Sequence, residues 1–134
     1  MIKYFPAPDI EEKVREIVKK LGMNHIDTSR VRCIRSKGSA SEYIIARCHS
    51  LPRALQVALN EKPHYVIEVI SKNFDDLPEE EKIKTLIHEL MHIPKSFKGG
   101  FLHHRGHVTK RKVEKMYKKY KAGEQKKDLW VFRR

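Results

Sequence analysis

Three side chains within five positions could do chemistry together: His88, Glu89 and His92, spaced His-Glu-x-x-His. On a helix, residues four apart share a face about one turn apart, so both imidazoles point the same way and two ring nitrogens can converge on one cation. Glu89 sits one position round, near the cation without ligating it. From there it can take a proton from a water whose pKa a zinc ion lowers to about 7, and later pass that proton to a leaving amine. With this composition, a chain of this length would carry the pattern by chance roughly 4% of the time, so its surroundings must support it.

A catalytic zinc site takes three protein ligands and keeps one position open. The stretch Phe101-Leu102-His103-His104-Arg105-Gly106-His107 offers His103, His104 and His107. Eleven residues, Ile93 to His103, separate His92 from His104. At about 3.3 Å of reach per residue, that span is ample to turn at Gly99-Gly100 and return. Spacing does not choose among the three. Glu114, 22 residues after His92 on the next predicted helix, is a carboxylate alternative. The six-residue step and glycine of the metzincin pattern are absent, which disfavours that group.

The element that must position the pair is a helix opening at Pro78, with Glu79, Glu80 and Glu81 in its first turn. The proline lacks a donor where none is needed, and the acids suit the positive end of the helix dipole. Ile83, Leu86, Ile87, Leu90 and Met91 form its core stripe, and Pro94 ends it near Ile93. Upstream, Asp9 is a candidate N-cap for a first amphipathic helix carrying Ile10, Val14, Ile17, Val18 and Leu21 and stopped by Gly22. Val31–Arg35 and Tyr43–Arg47 read as two strands of a hairpin, Pro52 opens a short helix to Leu59, and Tyr65–Ile70 is the strongest strand. A last helix runs from Val108 to about Lys121, with Val113, Met116, Tyr117 and Tyr120 on one face. The pattern predicts an α+β domain over residues 1–121, with about three strands and flanking helices.

The chain has 134 residues, enough for one core and too few for two ordinary domains. No apolar run reaches the roughly 18 residues of a membrane span, and the N-terminus lacks the apolar core of a secretory signal. The expected location is therefore cytoplasmic. Cys33 and Cys48 lie in predicted strands and are too few for a cysteine-based zinc site, so buried free thiols are expected. The net charge is +12, and residues 105–134 hold twelve Lys or Arg against three acids, a net of +9. Such a field favours acidic partners, nucleic acid among them. Residues 122–134 form a basic tail with the apolar segment Asp128-Leu129-Trp130-Val131-Phe132. It is expected to pack Trp130 and Phe132 on the core as a terminal strand or clasp, or else to lie in the substrate cleft.

The segments VRCIRSKGS, YVIEVISKNFDDL, EEEKIKTLIHELMHIPKSFKGG and HVTKRKVEKMYKKY resemble a metallopeptidase family found in archaea and phages, a compact member of the zincins. The resemblance covers most of residues 1–121, and its most specific string is LIHELMHIPKSFKGG. It implies a zincin-like fold, a zinc ion, and hydrolysis of peptides or proteins bound extended along a sheet edge. It also implies that His88, His92 and His104 are the metal ligands and Glu89 the general base. This chain carries Leu102-His103 where the family has arginine and proline, and His107 where an aromatic is common; His107 is the fallback ligand. The rival reading is a nucleic-acid-binding protein, or a protease acting on DNA-bound proteins, using the basic last helix. Oligomeric state is not legible.

Overall fold

In the computed structural model the backbone is described for residues 1–132 and side chains through Gly123. The chain forms β1 (Lys3–Pro6), α1 (Pro8–Leu21), a single 3-10 turn (Thr28–Arg30), β2 (Val31–Lys37), β3 (Ala46–Ser50) and α2 (Arg53–Leu59). There follow β4 (Tyr65–Ile70), α3 (Ser71–Phe74), α4 (Glu79–Met91), a distorted turn α5 (His104–His107) and α6 (Lys110–Phe132). The fold is α+β, as the sequence predicts. No helix among the described residues is long and apolar enough to cross a membrane.

The sheet has four strands in the order β1-β2-β4-β3, with β2 and β4 parallel and the other pairs antiparallel. Two expectations are corrected here. The exposed strand β1 was not anticipated, because Lys-Tyr-Phe-Pro shows no buried alternation and owes its pairing to β2. The strands β2 and β3 do not form a hairpin. Instead β4 enters between them, and β3 begins at Ala46 rather than Tyr43. Tyr65, Ile67, Val69 and Ile70 of β4 are all essentially inaccessible, a near-continuous apolar run that suits an interior strand covered on both faces rather than one at the sheet's edge.

Tyr65, Ile67 and Val69 join Val31 and Cys33 in one core with α1 (Val14, Ile17, Leu21), α4 (Ile83, Leu86, Ile87, Leu90) and α6 (Val113, Tyr120). The cap of α1 also differs from expectation. Ala7 occupies the cap position with Pro8 just inside it, and Asp9 instead pairs with Arg35 of β2 through two bonds of 2.7 Å. Gly22 ends α1 as expected, at φ 62°, where a side chain would be strained. The backbone of α6 continues through Gly123 to Phe132 where a terminal strand was expected, and the packing of Trp130 and Phe132 lies outside the described residues.

Cys33 and Cys48 both register against Ile67, one from each side of β4. Two strand spacings separate them by about 9.5 Å, beyond the roughly 7 Å a disulfide can span. Both are free, and burial pushes each thiol up to about 12.

Candidate metal centre

The apolar stripe of α4 turns Leu86, Ile87 and Leu90 into the core and thereby fixes the rotation of the helix. His88 and His92 are left at its edge, facing the loop that follows. That loop is folded back by a reciprocal pair of bonds: the Leu102 amide donates to the His92 carbonyl at 2.8 Å, and His92 Nδ1 donates to the Leu102 carbonyl at 2.7 Å. The fold-back delivers His104; its ring and that of His88 each meet His92 edge to face, while the His88 and His104 rings are tilted at 42° to one another.

His88 Nε2 lies 3.1 Å from His104 Nε2 and 3.3 Å from His92 Nε2. One ligand atom from each of the three residues lies within 4.8 Å of the others. Two nitrogens bound tetrahedrally to zinc at 2.0–2.1 Å would sit roughly 3.3 Å apart, so the spacing suits that ion. Protonation suits it as well. A carbonyl can only accept, so the proton of neutral His92 is on Nδ1 and its Nε2 lone pair is turned to the cluster. Burial, with His92 and His104 alongside, holds His88 down to about 4; burial also lowers His92. Ring nitrogens gathered this closely, with His88 and His92 both disfavoured as cations, suit a shared metal ion.

The model of the family described as Putative phage metallopeptidase matches residues 2–129. The chain belongs to that family. No curated protein and no solved structure matches it. As a member of a metallopeptidase family, the protein is expected at that level to hold a metal ion and to act on peptides or proteins, and the histidine cluster is where a metal would fit.

The remaining candidate residues sort by their place around the cluster. Glu89 is buried at the bottom of the cleft, and burial pushes its carboxyl up to about 7. His103 lines the cleft but is absent from the cluster, and His107 stands exposed at the end of α5. Glu114 is drawn off by Lys84 of α4, 2.9 Å away, so the structure does not bring it to the histidines.

The cleft has two adjoining halves that share Ile44, Ala46, His88 and Glu89. One, about 530 Å³, runs under Phe101, Leu102 and the edge of β3; the other, about 480 Å³, runs between Ile45 and the α4–α6 junction. The sequence reading missed the cleft wall, including Ile44, Arg47, Cys48 and Phe101. It also missed the residues that hold the loop. The Tyr65 hydroxyl accepts from the Gly99 amide and donates to the Gly100 carbonyl, both at 3.1 Å. The Gly100 amide donates to Ser50 at 2.9 Å, and Gln56 donates to the Lys98 carbonyl at 3.0 Å. Gly99 is required there: its φ is 123°, and a Cβ would press on Gln56 at 3.2 Å. The double glycine was the one visible signal.

Proposed function

We propose that this protein is a zinc-dependent peptidase in which His88, His92 and His104 hold the metal and Glu89 is the general base. The observation that carries the reading is the convergence of three Nε2 atoms from two distant segments beside a buried glutamate at the centre of a through-going cleft. When bound, zinc supplies Lewis acidity toward a carbonyl oxygen and makes a water more acidic.

The chain's own residues supply the rest. His92, fixed by the Leu102 carbonyl, offers its lone pair in a set orientation, which spares the site an ordering cost on loading. Glu89 takes the proton of the attacking water and returns it to the amine that leaves. With its carboxyl raised to about 7 before loading, it ionises readily once a cation is beside it and holds a proton only weakly thereafter. Strand β3 lies at the edge of the sheet, and its residues Ala46, Arg47 and Cys48 line the cleft. An extended peptide added along that edge would be held by its backbone, so preference for particular side chains should be weak.

The test is a digest of a mixed peptide library by protein stripped with a chelator and then reloaded. Cleavage that vanishes on stripping and returns with one equivalent of zinc supports the reading. Cleavage that persists in the stripped protein contradicts it.

A further inference from the structure

We infer that the solvent face of α6 binds the phosphate backbone of duplex DNA without reading its sequence. Val113 and Tyr120 turn one side of this helix into the core. At about 100° per residue, Arg111, Lys112, Lys115, Lys118 and Lys119 then fall within an arc of roughly 120° on the opposite side. All five are exposed, and no acidic residue shares the arc. Glu114 lies off it and is occupied by Lys84 at 2.9 Å. The stripe from Arg111 to Lys119 is about 12 Å long at 1.5 Å per residue. It extends sideways as well, because Lys119 Nζ donates to the Leu21 carbonyl at 3.2 Å and so brings the last turn of α1, with exposed Lys19, alongside.

Like charges spaced this closely repel one another, and no carboxylate within the arc relieves them. A polyanion does. Three classes of polyanion are distinguished by what else the face holds. An anionic membrane surface would require an apolar face to insert, but the apolar side of α6 is already packed on α1 and α4. A single strand would require aromatic platforms for stacking, but Tyr117 lies beneath Lys84 and Tyr120 is buried. Point charges in a row without aromatics suit the regular phosphates of a duplex. Lys110, adjacent to Arg111, lines the cleft, so a duplex on this face passes close to the cleft mouth.

The experiment is fluorescence anisotropy of a labelled 20-bp duplex of arbitrary sequence titrated with the full chain at 50 and 200 mM salt. About four phosphate contacts predict a loss of roughly two orders of magnitude in affinity between those salts. The triple variant Arg111→Glu, Lys115→Glu, Lys118→Glu should bind at least ~30-fold more weakly at 50 mM salt, with a shallower salt slope. A charge-matched control, Lys3→Glu, Lys62→Glu, Lys72→Glu, should lose less than ~3-fold. A milder triple, Arg111→Gln, Lys115→Gln, Lys118→Gln, reports the same difference if the reversal variant fails to melt cooperatively. The inference is overturned if the wild type shows no saturable binding at 50 mM salt or if the control weakens as much as the α6 variants. Tighter binding to a single strand of equal length, to polyglutamate or to phosphatidylserine vesicles would overturn it too. None of these readouts depends on metal or on peptide cleavage, so the result stands apart from the peptidase reading.

Discussion

His104 is the most informative single residue, because the spacing of the sequence leaves His103, His104 and His107 open as partners for His88 and His92. The structure brings only His104 to the cluster. His104→Ala should therefore weaken zinc binding by at least ~100-fold, as loss of a ligand does, while His103→Ala, His107→Ala and Glu114→Ala change it by less than ~10-fold. Competition with a chromogenic chelator measures this, and a larger effect of His107→Ala or Glu114→Ala would move the site. Glu89 makes a second prediction, readable in metal-free protein. Its folded pKa is raised above the unfolded value, so its contribution to stability is fully present below about 4.5 and is lost as pH rises through about 7. Glu89→Gln removes that loss, and should raise metal-free stability by about 3 kcal/mol at pH 8 but by less than about 1 kcal/mol at pH 5. Denaturant melts at the two pH values check the sign; an equal effect at both would mean the carboxyl is not desolvated.

At the scale of elements, the helix carrying His88 was legible, whereas of the loop that follows only the glycine turn was, not the bonds that hold it. Proline, three acids and a stripe of five apolar residues specify α4 locally, since helix bonds and amphipathicity are short-range. The return of His104 depends on long-range bonds from Tyr65, Ser50 and Gln56 to a glycine turn, and no local pattern encodes them. The same distinction explains the misread hairpin: β2 and β3 are adjacent in sequence, but the apolar strand β4 takes the place between them. Tyr65→Phe tests the loop's support directly. It leaves the buried ring and removes two hydrogen bonds, so it should cost about 1–3 kcal/mol in stability and weaken zinc binding by roughly 3- to 10-fold through the freed loop. Unchanged zinc affinity in a destabilised variant would show that the Leu102–His92 pair alone positions His104.

Across the whole molecule, α6 closes the fold over α1 and α4, and a hydrogen bond from Tyr120 to Glu16 of α1 at 2.6 Å joins its middle to the first helix. That bond, with Lys20 and Lys13 nearby, holds the Glu16 carboxyl down to about 2. A lowered folded pKa stabilises above the unfolded value near 4.5 and is lost as pH falls toward about 2. Tyr120→Phe should thus cost about 1 kcal/mol at pH 7, a few degrees of melting temperature, and progressively less as pH drops below 4. A cost independent of pH would assign the effect to packing rather than to the ionised pair. The α+β class and the apolar faces were readable from periodicity; the closure of α6 onto α1 joins residues 104 positions apart and was not.

Whether Glu89 moves the proton while the histidines hold the metal is tested most directly by cleavage with zinc-loaded Glu89→Gln beside wild type. Zinc content is determined on the same samples. The amide keeps the shape and cannot accept the proton, so the variant should retain one zinc per chain and cleave about 10²–10⁴-fold more slowly. Turnover within a few fold of wild type in a fully loaded variant would contradict the account.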